Sequence, residues 1–65
     1  MNTYHAVPAF RCHAPAKNFR DERAALEYAR QAAETFRVAY AVWNVRRGTL
    51  RLLKRFPADY AQLRA

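Results

Sequence analysis

One stretch of the chain, FRDERAALEYARQAAETFRVA, repeats apolar residues every three or four positions. The apolar stripe consists of Ala25, Leu26, Ala29, Ala32, Ala33 and Phe36. This spacing predicts an amphipathic α-helix that lies against the rest of the fold along the stripe. Asp21 is the expected N-cap, with Asn18 as the alternative, and the helix is expected to end near Arg37. The small alanine side chains allow close packing on a sheet.

A second stretch, residues 42–56, alternates between apolar and polar residues. A two-residue turn at Arg47 and Gly48, where the glycine can supply a positive φ, predicts a β-hairpin. The predicted register pairs Arg46 with Thr49, Val45 with Leu50, Asn44 with Arg51, Trp43 with Leu52, Val42 with Leu53 and Tyr40 with Arg55.

The period of two divides this hairpin into two faces. One face collects Ala41, Trp43, Val45, Leu50 and Leu52. The other face collects Tyr40, Val42, Asn44, Arg46, Thr49, Arg51, Leu53 and Arg55. Because burial of arginines with exposure of Trp43 would be unfavourable, we expect the first face to pack on the helix and the second to remain open.

The ends of the chain predict shorter elements. Residues 4–12, YHAVPAFRC, favour an edge strand or a strand broken at Pro8, because proline has no N–H to donate. The segment HAPAKN is typical of a loop, and PADYAQLRA predicts two helical turns beginning at Pro57, with Tyr60 and Leu63 facing inward. The expectation is one α+β domain over residues 1–65, ordered βαββ(α). A three-stranded antiparallel sheet would carry one main helix on one face and a short C-terminal helix.

The length of 65 residues limits the domain to a thin core. No run of about 18 apolar residues could span a bilayer, and no charged start precedes an apolar stretch as in a signal peptide. One cysteine cannot form an internal disulfide, which agrees with a reducing compartment. We therefore expect a cytoplasmic protein without a membrane partner.

Charge adds a bias in the choice of partner. Twelve Lys and Arg against five Asp and Glu give a net charge of +7, and residues 36–65 carry six of these seven charges. An excess of this kind favours nucleic acid or an acidic protein surface as the partner.

Candidate chemistry is sparse. His5, Cys12 and His13 could suggest a metal site, but adjacent Cys12 and His13 on a strand would point to opposite faces, and no CxxC pair completes a ligand set. A small ribonuclease would use His5 or His13 as general base, yet no second acid or base is placed beside either one. We expect no enzyme activity, no metal and no cofactor.

The open hairpin face is the predicted binding surface. Its binding residues are expected to be Tyr40, Val42, Asn44, Arg46, Arg47, Arg51, Leu53 and Arg55. Arginines beside Tyr40 suit phosphates and a stacked base, whereas Val42 and Leu53 suit a protein interface. The sequence leaves both partners open. The alternative function is a structural or self-associating interaction module, with a homodimer as its product, and a ribonuclease toxin comes third.

The helix EYARQAAETF followed by YAVWNVRRGTL resembles the orphan βαββ modules of short bacterial and bacteriophage reading frames. That class includes small stoichiometric inhibitors of host machinery, such as anti-CRISPR proteins. The resemblance covers most of the chain, implies a non-enzymatic inhibitor that acts by occupancy, and assigns no functional residue because it carries no specific motif.

Overall fold

The computed structural model describes residues 2–9 and 13–57. Its architecture is α+β, with one helix packed on one face of a four-stranded antiparallel sheet. The elements are β1 Thr3–Pro8, β2 Lys17–Phe19, α1 Glu22–Phe36, β3 Tyr40–Arg46 and β4 Thr49–Phe56. The strands lie in the order β2-β1-β3-β4. The described part measures 36 × 24 × 14 Å, which is one sheet layer and one helix layer thick.

The helix α1 forms where the spacing predicts it. The Asp21 carboxylate accepts a hydrogen bond from the backbone N–H of Ala24 at 3.0 Å, which confirms Asp21 as the N-cap. Arg37 ends the helix in the left-handed region, with a φ of 55°. The predicted stripe is buried at Ala25, Ala29, Ala32 and Ala33. Phe36 is 47% exposed, contrary to the prediction, because it occupies the last turn and borders a shallow groove there with Val38.

The sheet has four strands where the sequence predicts three. Residues 17–19 form the short strand β2, which pairs with β1 and places Tyr4 opposite Phe19. Since β3 pairs with the other side of β1, the prediction of an edge strand for residues 4–12 is wrong, whereas the alternative of a strand broken at Pro8 agrees with the end of β1 at that residue. A strand of three residues is too short for its alternation to be recognised in a sequence.

Pro8 is compatible with an interior strand because of its position. It is the last residue of β1, opposite Tyr40. The next residue, Ala9, donates its backbone N–H to the carbonyl of Ala39 at 2.7 Å, so the pairing continues past the proline. The missing donor therefore falls at the end of the strand, where it disrupts little of the ladder.

The predicted hairpin is confirmed near its turn. Arg47 and Gly48 have φ values of 50° and 80°, as a type I′ turn requires. The four pairs confirmed are Arg46–Thr49, Val45–Leu50, Asn44–Arg51 and Trp43–Leu52. A register shift between Val42 and Trp43 then inserts one extra residue on β4. The pairs beyond it are Val42–Lys54, Ala41–Arg55 and Tyr40–Phe56, so the predicted pairs Val42–Leu53 and Tyr40–Arg55 are wrong.

The core lies between α1 and the first half of β3. Tyr40 and Val42 are both 0% exposed and are the largest fully buried side chains among the described residues. The Tyr40 hydroxyl donates a hydrogen bond to the carbonyl of Pro15 at 2.6 Å. Tyr28 of α1 packs between Phe19 and Tyr40, with ring centroids 5.4 and 6.3 Å away. The rest of the buried set is mainly alanine, so the core is thin.

The predicted orientation of the hairpin is therefore inverted. The face with Tyr40 and Val42 packs on the helix, whereas Leu50 and Leu52 on the other face are 63% and 48% exposed. The prediction rested on the cost of burying the arginines while Trp43 is exposed. In the structure, burial changes along β3, from fully buried Tyr40 to exposed Arg46, so Arg46 and Arg51 stay solvated near the turn on the helix side, and only Arg55 lies on the open face.

Two predictions fall on parts of the chain outside the described residues. The short C-terminal helix with Tyr60 and Leu63 lies in residues 58–65. The proposed end of the first strand lies in residues 10–12.

Candidate functional site

The turn of the β3–β4 hairpin brings positive charge together. A shallow concavity at this turn is lined by Asn44, Arg46, Arg47, Thr49 and Arg51, which we call the hairpin-tip cluster. Four of these five residues belong to the predicted binding set, and Thr49 is the addition. Thr49 lies opposite Arg46 in the predicted register, and this position could have placed it in the predicted binding set.

Local backbone structure positions the arginines. The positive φ of both turn residues closes the hairpin in two residues, so Arg46 and Arg47 lie at its end. Arg51 on β4 lies opposite Asn44 on β3. Asn44 is on the same face as Val42 and two residues nearer the turn, so Arg51 shares that face. The helix covers Val42 and leaves Arg46 and Arg51 exposed, which gives the guanidinium groups access to a partner.

Among the described residues, the lining of the hairpin-tip cluster holds three arginines, one amide and one hydroxyl, and no carboxylate. Glu27 and Glu34, on the helix, both accept hydrogen bonds from the Arg30 guanidinium, and the bond to Glu34 measures 3.2 Å. An arginine presents planar N–H donors that match the oxygens of a phosphate or carboxylate, and amide and hydroxyl groups can add further hydrogen bonds. The cluster is thus chemically suited to an anion.

The other four predicted binding residues do not join the cluster. Tyr40 and Val42 are fully buried, and Leu53 is half-buried against the core. Arg55 lies opposite Ala41 because of the bulge, and it borders a groove on the sheet face away from the helix. Tyr40 therefore cannot stack a base in this fold.

We call the sheet face away from the helix the outer face. Its positions are Thr3, His5, Val7, Asn18, Ala41, Trp43, Val45, Leu50, Leu52 and Arg55. Trp43 lies near its middle, between His5 on β1 and Leu52 on β4. Sequence reasoning recognised this apolar set and assigned it to the core. Periodicity could not correct that assignment, because both faces of β3 carry apolar residues.

The histidines line separate surfaces. His5 lies on the outer face opposite Trp43, whereas His13 borders the groove with Phe36 at the end of α1. Within residues 2–9 and 13–57, no three His, Cys, Asp or Glu side chains are grouped as a metal site would need. Cys12 lies outside the described residues.

No helix in the described part of the chain is long and apolar enough to cross a membrane. Comparisons of the chain with protein-family models, with curated proteins and with solved structures found no match.

Proposed function

We propose that this chain is a non-enzymatic protein that binds the phosphate backbone of nucleic acid through the hairpin-tip cluster. The observation that carries the proposal is the convergence of Arg46, Arg47 and Arg51 on one exposed concavity, whose described lining contains no carboxylate. Phosphate contacts of this kind supply most of the affinity of sequence-independent binding.

The composition of the cluster favours nucleic acid over an acidic protein surface. The aromatic and aliphatic residues that would anchor a protein interface, Tyr40, Val42 and Leu53, belong to the core or pack against it. Protein interfaces depend on such apolar anchors at their centre, whereas a phosphate backbone is held by cations and hydrogen-bond donors alone. Because none of the described residues that line the cluster is aromatic, we expect phosphate contacts rather than base stacking to supply the affinity.

The biological consequence we propose is inhibition by occupancy of a nucleic-acid-handling complex. Its support is the resemblance of EYARQAAETF and YAVWNVRRGTL to the orphan βαββ modules of short bacterial and bacteriophage reading frames, a class that includes small inhibitors. Binding of a small basic protein would block access to the covered strand without any catalysed step.

The test measures binding of labelled duplex DNA and single-stranded RNA by fluorescence anisotropy over a range of salt concentrations. The double variant Arg46→Gln/Arg51→Gln should lose about tenfold or more in affinity at low salt. The slope of log affinity against log salt on duplex DNA should fall by about two, since each lost phosphate contact removes about 0.9.

The matched control is Arg37→Gln/Arg55→Gln, which removes the same charge outside the cluster. It should retain most of the affinity of the unchanged chain. Equal losses in both double variants would mean that binding follows net charge, and the cluster would not be the site. Absence of nucleic-acid binding, with capture of an acidic protein instead, would contradict the proposal. Circular dichroism of each variant checks that the fold is intact.

A further inference from the structure

Two of the three large hydrophobic side chains that are exposed among the described residues lie on the outer face, which the proposed function leaves unused. Leu50 and Leu52 are 63% and 48% exposed, and Trp43 lies half-buried between them and β1. Within the described residues, the only helix packs on the opposite face of the sheet. Contiguous exposed apolar surface of this kind marks an interaction site.

The composition of the core shows why the outer face matters for stability. The buried residues are mainly alanines, with Tyr40, Val42 and Phe56 as the larger members. Trp43, Leu50 and Leu52 offer more apolar area than those alanines do, and they lie outside. Small domains with a thin core commonly gain the missing burial from disulfides, metals or oligomerisation, and a chain with a single cysteine cannot form an internal disulfide.

The distribution of charge allows two copies of this face to meet. The chain carries a net charge of +7, yet Arg55 is the one Lys or Arg among the described outer-face positions. Arg46, Arg47 and Arg51 lie at the turn and on the helix side of the sheet. Contact between two outer faces therefore brings few like charges together.

We propose that the outer face pairs with the outer face of a second copy of this chain, as a two-fold symmetric sheet-on-sheet dimer. A two-fold interface uses the same surface on both partners, and an uncharged apolar centre is complementary to itself. Trp43 lies on an interior strand between His5 and Leu52, so it lies near the centre of the contact.

The dimensions are sufficient for such an interface. The broad side of the described part measures 36 × 24 Å, and a standard interface buries about 800 Å² on each partner. That area is roughly a sixth of the 4873 Å² of accessible surface. Packed sheets lie about 10 Å apart, which leaves room for interdigitated leucine and tryptophan side chains. The dimer would carry two hairpin-tip clusters, and two linked sites bind one strand more tightly than a single site does.

The test uses the full chain and its only tryptophan, Trp43. Sedimentation equilibrium from about 1 μM to about 1 mM covers the range in which a standard interface of modest affinity dissociates. The expected result is a rise from the chain mass of 7.6 kDa to twice that value. Trp43 emission should shift to shorter wavelength over the same range, because the dimer shields the indole from water.

Two matched variants locate the contact. Leu50→Lys adds a charge to the outer face at a position that is already exposed in the single chain, so the fold should survive. It should raise the dimer dissociation constant by tenfold or more. Thr35→Lys adds the same charge on an exposed helix position and should leave the dissociation constant within about twofold.

Three results would overturn the proposal. The first is a monomer with freely quenchable Trp43 at every concentration. The second is a monomer in which Trp43 is shielded at every concentration, together with exposure of the indole in the variant Leu63→Ser. In that case residues 58–65 of the same chain, and not a second copy, would cover the outer face. The third is a dimer that Leu50→Lys and Thr35→Lys weaken equally, because the contact would then lie elsewhere.

Discussion

Arg47 and Gly48 carry the local requirement on which the hairpin-tip cluster depends. Both have a positive φ, a conformation that glycine adopts without strain and that costs an ordinary side chain roughly 1–2 kcal/mol. A Cβ added at Gly48 would meet nothing within 4 Å, so the backbone conformation alone opposes substitution there. The turn thus tolerates one strained residue, Arg47, and places its guanidinium at the end of the hairpin.

We expect Gly48→Ala to lower the free energy of unfolding by about 1 kcal/mol, because alanine must adopt the positive φ without any compensating contact. Urea unfolding followed by circular dichroism measures the change. The control is Arg47→Asn, which should keep or slightly raise stability, since Asn-Gly is the favoured pair in this turn type. If Gly48→Ala leaves stability unchanged, the turn does not require positive φ at position 48.

At the level of elements, the contact between α1 and the sheet depends on alanine. Ala25 and Ala29 are 0% exposed, and the tyrosines at positions 28 and 40 fill the space beside them. A helix with larger residues on this stripe would have to move away from the sheet and would lose contact with Val42. The helix also covers only the beginning of β3, which leaves the hairpin end free to bind a partner.

Ala29→Leu should lower the free energy of unfolding by about 1–3 kcal/mol, because the added atoms have no room between α1 and the sheet. Thr35→Leu introduces leucine at an exposed position of the same helix and should change stability by less than about 0.5 kcal/mol. Thermal unfolding of both variants provides the comparison. Similar midpoints for the two would place Ala29 in solvent and contradict the packing described above.

At the scale of the whole molecule, net charge opposes compactness. The chain carries a net charge of +7, and its described part measures only 36 × 24 × 14 Å. The Debye length falls from about 30 Å at 10 mM salt to about 10 Å at 100 mM, so added salt screens repulsion across the molecule. The ion pair between Arg30 and Glu34 is partly buried, with 24% of each side chain exposed, and a pair four residues apart on a helix adds only a few tenths of a kcal/mol, so it does not offset this effect.

We therefore expect the unfolding temperature to rise when sodium chloride increases from about 10 to about 100 mM, at a fixed low protein concentration. Arg46→Gln/Arg51→Gln lowers the net charge by two and should show a smaller rise. A fall in the unfolding temperature with salt would mean that attractive pairs such as Arg30–Glu34 outweigh the repulsion. Differential scanning calorimetry gives both values.

The local parts of the fold could be derived from the sequence because each depends on neighbouring residues. Alanine spacing and the Asp21 cap determine α1, and the Arg47-Gly48 turn determines the hairpin and its first four pairs. The same register predicted that Asn44, Arg46 and Arg51 would share a face. The half of the predicted binding set that joins the hairpin-tip cluster therefore lies close to the turn, where the register contains no bulge.

Tertiary structure alone decided which face of the hairpin meets the helix. Tyr40 and Val42 on one face and Trp43 and Val45 on the other are all apolar, so alternation does not distinguish the inner side from the outer. The choice depends on how far α1 extends along β3, on the bulge beside Val42, and on the pairing of residues 17–19 with β1. These are contacts between residues distant in sequence, and their free energies depend on shape and fit that the order of polar and apolar residues does not encode.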